Sequence, residues 1–216
     1  MTITILNTEE LSFSVYESYL PLVSEEQRKK IEQYSKEGDK LNSLMAELLA
    51  RVELSKKLHI SPQKLNFSVG EYGKPFLSDY PDVHFSISHS TGAVAFVCDN
   101  TPIGIDIEDI AGKKSTKAIR FFTENEQNYI NSGDDIIKTM LFVWTRKEAY
   151  LKMLGKGLSV PLSCFDVLDG NLKCNIITKE LDKHIISVCC DKEQITDFST
   201  KTTKASDLLL FLENNY

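Results

Sequence analysis

The chain has 216 residues, a net charge of −6, 42% hydrophobic and 26% charged residues. That balance predicts a globular protein of one large or two small domains. It argues against broad nucleic-acid binding, which needs a basic surface. The start, MTITILNTEE, has neither the basic region nor the apolar core of a signal peptide. No apolar run is long enough to cross a bilayer. The five cysteines are Cys98, Cys164, Cys174, Cys189 and Cys190, and no CxxC occurs. An odd count without metal-type spacing predicts reduced thiols packed as small hydrophobes, in a cytoplasmic protein.

ITILNTEE reads as a short strand. SEEQRKKIEQYSK reads as a polar helix with Ser24 as N-cap and Gln27 at the capping-box position. DKLNSLMAELLARVELSKKL follows as a longer amphipathic helix, with Leu41, Leu44, Met45, Leu48, Leu49 and Val52 forming a core-facing stripe. LNFSVGEYGKPFL alternates like a strand around a Gly-Lys-Pro turn. VHFSISHS and AVAFVCDN form a hairpin through Thr91-Gly92. Thr101-Pro102 is the best boundary, dividing 1–101 from 102–216. Beyond it IGIDIEDI is a strand, KAIRFFTENEQNYI a helix and IIKTMLFVWTRKEAYLKML a longer helix. CFDVLDG, LKCNIITK, HIISVCC and the tail DLLLFLE read as strand-like. The halves agree in length and in helix-then-strands order without a clear sequence repeat, which argues α+β.

In IGIDIE, Ile103, Ile105 and Ile107 alternate with Gly104, Asp106 and Glu108. A period of two puts the isoleucines on the core face and both carboxylates on the other. Taken alone, this is a wetted strand face. In WTRKEAYLKMLGKGL, Glu148 and Lys152 share a helix face four residues apart, as ordinary surface ion pairs do. Gly155 and Gly157 end that helix. GKG is not a phosphate loop, because Tyr150 stands where its first glycine belongs, and Val160 breaks a dinucleotide fingerprint. In FSISHS, Ser88 and His89 are strand neighbours on opposite faces, so they cannot act as nucleophile and base. No GxSxG elbow occurs. In EYGKPF, Gly73 and Pro75 hold Lys74 in a rigid turn.

Each feature alone favours a structural explanation; their order does not. GKPF, FSISHS, IGIDIE and WTRKEAYLKMLGKGL, with RFFTENE at residues 120–126, resemble the 4′-phosphopantetheinyl transferase superfamily, in its long surfactin-type class acting on peptidyl carriers. The resemblance implies an α+β fold of two similar subdomains in pseudo-twofold arrangement, each with a small antiparallel sheet and packed helices. It implies transfer of the phosphopantetheine arm of coenzyme A to a serine of an apo carrier, releasing adenosine 3′,5′-bisphosphate. It makes Asp106, Glu108 and Glu148 the ligands of Mg²⁺, with Gly104 leaving space beside the strand and Glu148 metal ligand, general base or both. Lys152 contacts phosphate and offsets leaving-group charge. Lys30, Lys74, Ser88 and His89 complete the coenzyme A site, Ser88 mainly through local backbone geometry. The carrier, a peptidyl or acyl carrier domain, is expected along residues 113–122, attracted by Lys113, Lys114, Lys117 and Arg120. A chain of this length is expected to be a monomer. Glu126 matches the RFF element without an assigned role. Arg51 matches the second arginine of the family's long helix, and Asn42 and Gln27 stand where relatives carry cations, at the nucleotide end. A magnesium-dependent coenzyme A hydrolase and a non-catalytic coenzyme A or carrier binder are the rival expectations.

Overall fold

The structure, a computed structural model, describes residues 1–112, 115–191 and 196–216. The first half contains β1 (Thr2–Asn7), α1 (Phe13–Tyr16), α2 (Glu25–Gln33), α3 (Glu37–Leu58), β2 (Phe67–Val69), β3 (Pro75–Leu77), β4 (His84–Ser90) and β5 (Ala93–Asp99). The second contains β6 (Ile103–Asp109), α4 (Glu124–Asn131), α5 (Ile136–Leu154), β7 (Asn175–Leu181), β8 (His184–Cys190), β9 (Ser199–Thr203) and α6 (Ala205–Asn215). The sheets run β4-β5-β1-β9, β2-β3 and β6-β8-β7. The fold is α+β, with small, mainly antiparallel sheets and packed helices. β9 is the exception: it lies parallel to β1, with Thr2 opposite Ser199. The end of the chain thereby joins the first half's sheet, and α6 buries Leu208 and Leu212 in the core around α3.

Three segments differ from the sequence reading. The tail DLLLFLE is helical, because Leu208 and Leu212 recur at helical spacing against α3; a short apolar run does not distinguish helix from strand. CFDVLDG contains a 3₁₀ turn ending at Cys164 and no strand. KAIRFFTENEQNYI is two elements, a 3₁₀ turn (Thr116–Phe121) and α4, parted by the Thr123 capping box. Ser24 does cap α2, accepting from Gln27 N, but Gln27 closes no capping box. Its amide donates instead to Ser43 O and Oγ, at 2.6 and 2.9 Å. Glu47 takes the capping-box role from a distance, accepting from Ser24 N and Oγ.

β4 and β6 are both sheet edges, and a serine seam joins them. Antiparallel pairing with β8 uses alternate amides of β6 and leaves those between facing outward. Ser86 Oγ accepts from Ile105 N (3.1 Å), Ser88 Oγ from Ile107 N (3.4 Å) and Ser90 Oγ from Asp109 N (2.9 Å). The serines repeat every second residue, so one strand face serves the whole row of edge amides. Ile103, Ile105 and Ile107 fill the apolar layer between the sheets with Ala93, Ala95 and Val97 of β5.

Gly104 sets the approach of α5. A β-carbon there would overlap the backbone of Ala149 and Met153. The space that Gly104 leaves beside the strand is taken up by α5. That contact brings Glu148 and Lys152 over Asp106. Gly104→Ala should destabilise by at least the ~1–3 kcal/mol of an overpacked core, since backbone cannot rotate away. An unchanged thermal melt would show that α5 does not need this contact.

Candidate active site

A cleft of about 770 Å³ opens between the halves. The first half supplies Ser24, Gln27, Lys30, Lys74, Ser88 and His89 to its walls; the second supplies Asp106, Glu148 and Lys152. Of the residues expected to bind magnesium, act in catalysis or complete the coenzyme A site, all but Glu108 line this one cleft. Glu108 lines an adjoining cavity of about 950 Å³, which shares the His89 wall. Ser90 Oγ donates to Glu108 Oε2 at 3.2 Å. Asp106 and Glu108 thus share a strand face but look into neighbouring spaces. Among the described residues no three His, Cys, Asp or Glu side chains are grouped closely enough to hold a metal.

Asp106 is the centre of the cleft's polar network. Its Oδ1 accepts from Ser88 Oγ (2.8 Å) and from Lys152 Nζ (2.7 Å), while Lys152 also donates to Ser88 Oγ at 2.8 Å. Ser88 therefore touches both Asp106 and Lys152, which goes beyond the backbone role expected of it. Lys152 reaches across to the strand, so its ion pair joins two elements and is no mere surface helix pair. Asp106 is only 5% exposed, and its Oδ2 is buried without a hydrogen-bond partner. A buried carboxylate oxygen without a partner is costly unless a cation or donor reaches it.

Lys74 bridges the halves from the other side. Its ammonium donates to Ile103 O at 3.1 Å and Met153 O at 3.2 Å. Burial lowers its pKa to about 8. His89 is held lower, at about 4, by burial first and then by Lys152 and Lys30. Near neutrality His89 is therefore an uncharged imidazole. Because Lys74 loses charge through about pH 8, affinity for an anionic ligand should fall above that pH. Lys74→Arg stays cationic and should flatten the decline. Equal pH profiles for the two proteins, read as KM for the anion, would remove Lys74 from the anion site.

The remaining expected residues divide. Lys30 lies on the cleft wall at the last turn of α2. Asn42 does not line that wall but the adjoining cavity. Its Oδ1 accepts from Thr8 Oγ1 and its Nδ2 donates to Ser90 O, so it ties α3 to the residue just after β1 and to the end of β4. Arg51 pairs with Glu47 at 2.7 Å and donates to the carbonyls of Pro62 and Leu65. Glu126 is fully buried against Lys147 at 2.8 Å. Lys113 and Lys114 lie outside the described residues; Lys117 and Arg120 sit on the exposed 3₁₀ turn before α4.

A sequence profile described as "4′-phosphopantetheinyl transferase superfamily" matches residues 102–205, and one described as "4′-phosphopantetheinyl transferase, N-terminal" matches 11–101. The chain is 34% identical over 194 residues to 4′-phosphopantetheinyl transferase Sfp of Bacillus subtilis (strain 168), covering 83% of this chain and 87% of that one. The chain belongs to the 4′-phosphopantetheinyl transferase superfamily. It is also 33% identical over 210 residues to the transferase gsp of Aneurinibacillus migulanus, covering 90% of this chain and 87% of the relative. In this transferase, sequence reasoning passed over Ser86 and Ser90. Their signal was the two-residue serine period in FSISHS, matched to the edge amides of IGIDIE. Lys147 was missed as well, since nothing in WTRKEAYLKMLGKGL marks Lys147, rather than Lys152 or Lys156, as the interior lysine.

Proposed function

We propose that the transferase binds coenzyme A in the cleft between residues 1–101 and 102–216 and passes its phosphopantetheine arm to a carrier serine. The observation that carries this is the Asp106–Ser88–Lys152 network, an acid and a cation held together where both halves meet. Lys152, Lys74 and Lys30 give the cleft cations suited to the phosphates of coenzyme A. His89, uncharged, donates a hydrogen bond rather than charge.

The residues fit a magnesium ion. The donors are hard carboxylate oxygens, and Asp106 Oδ2 is buried without a partner. Asp106 and Glu148, which both line the cleft, would hold the ion, with Lys152 keeping Asp106 Oδ1; Glu108, in the adjoining cavity, would have to turn toward them to join as a third ligand. When bound, magnesium supplies Lewis-acid polarisation of the diphosphate. The chain does the rest. Glu148 takes the proton of the carrier serine, directly or through water, as the serine oxygen attacks the pantetheine-side phosphorus. The bond from that phosphorus to the bridging oxygen breaks. Adenosine 3′,5′-bisphosphate leaves with the electron pair, its charge offset by Lys152. The acceptor is a peptidyl or acyl carrier domain, docked beside Lys117 and Arg120, and the working form is a cytoplasmic monomer.

The test is incubation with coenzyme A, magnesium and a panel of apo carriers, followed by mass measurement of each carrier. A gain of one phosphopantetheine arm is expected. Release of adenosine 3′,5′-bisphosphate without any carrier gaining mass would instead mark a hydrolase.

A further inference from the structure

The cleft's charged and polar side chains present oxygen and nitrogen, but the adjoining face of α5 packs against sulfur. Cys189 of β8 is fully buried, and its Sγ donates to Met153 Sδ at 3.4 Å. Cys174, half-buried, packs against the cluster formed by Ala149, Met153 and Cys189. The strand register explains the meeting. Asn175 lies opposite Cys190 and Ile176 opposite Cys189, so Cys174 is the diagonal neighbour of Cys189 on the same sheet face. Cys190, on the other face, belongs to the apolar layer between the sheets. Gly104 lies across from Cys189 on β6 and lets α5 descend until Met153 covers the pair.

We propose that Cys174, Cys189 and Met153 form a binding site for a soft monovalent cation of the Cu(I) class. Thiolate and thioether sulfurs select such ions, whereas the carboxylates of the cleft select hard ones. Diagonal strand neighbours are ~7–8 Å apart at the backbone, beyond the usual ~4.4–6.8 Å of a disulfide. A metal with two sulfur bonds of ~2.3 Å spans the wider gap. Interaction with the neighbouring Cys189 thiol lowers the Cys174 pKa, and Arg146 adds to this, so the more accessible sulfur is the readier thiolate. Interaction with Cys174, and then burial, hold Cys189 protonated until a metal displaces its proton.

The site touches the cleft through the last turn of α5. Met153 follows Lys152 directly, and the Met153 carbonyl accepts from Lys74. An ion on the Met153 sulfur therefore restrains the segment that carries Lys152 and accepts from Lys74.

The probe is silver(I) nitrate, a redox-inert stand-in for Cu(I), added to the reduced full-length protein in chloride-free buffer with glutathione as a monothiol competitor. Native mass spectrometry should show one retained silver ion per chain. Retention should be lost in Cys174→Ser and weakened in Met153→Leu, and should persist in Cys98→Ser and Cys164→Ser. Cys174 is half-buried, so its variant gives a result even where a Cys189 variant does not fold. No retained silver in the natural protein, or retention that follows Cys98 or Cys164, would overturn the site. This readout does not use transfer activity, so it stands or falls apart from the proposed reaction.

Discussion

Asp106→Asn should lower the transfer rate by ~10²–10³-fold, the range seen when one preorganised electrostatic group is removed. Asparagine keeps the shape and can still accept from Ser88, so the serine seam survives. It loses the charge that holds Lys152 at 2.7 Å and the anionic oxygen left without a partner. Lys152 is then free to swing and no longer stands at a fixed point on the cleft wall. The ion pair is partly open on the lysine side, with Lys152 at 29% side-chain exposure. Its loss should therefore cost little stability. Melting temperature and rate together decide the matter. A folded Asp106→Asn protein with near-natural turnover at saturating magnesium would remove Asp106 from the reaction.

The site was legible in sequence where chemistry shows as spacing. The period of two in IGIDIE placed the isoleucines correctly, and the four-residue step put Glu148 and Lys152 on one helix face; that this face lines the cleft followed only from the family resemblance. What spacing cannot show is which void a side chain enters. Asp106 and Glu108 share a face, yet the His89 wall separates their cavities. Asn42 lies on the same helix as the cleft residues Ser43 and Glu47, but one residue is about 100° of helix rotation. That rotation carries Asn42 into the neighbouring cavity. The helix was read as amphipathic, yet residues 41–52 are buried all round, because its polar side lines the cleft. The parallel β1–β9 pairing was not legible, because STKTT carries no apolar alternation. Its neighbour β1 sits at the far end of the sequence.

Lys147→Met should destabilise the protein by ~3–5 kcal/mol, the cost of leaving one buried charge without its partner. For a chain of this size that corresponds to a fall in melting temperature of roughly 6–20 °C. Both side chains of the Glu126–Lys147 pair are 0% exposed. Lys147 also donates to Leu162 O (2.7 Å) and Phe165 O (2.6 Å), and stands 4.1 Å from the centre of the Phe165 ring. Glu126 in turn accepts from Val167 N and Thr123 N, at 2.9 and 3.0 Å. The pair is therefore a rivet through α4, α5 and the irregular loop 162–167. A buried ion pair can often be exchanged for apolar residues without loss. Here the exchange strands backbone groups of the loop, and each of those costs energy when buried and unpaired. Glu126→Leu combined with Lys147→Met should recover part of the single-variant loss and stay below the natural protein. Full recovery would reduce the rivet to a simple charge pair. The same proteins settle the role of Glu126 in the RFFTENE element. A structural role leaves kcat near its natural value at temperatures well below the lowered melt. A Glu126→Gln protein that melts normally but has lost kcat would make Glu126 part of the reaction instead.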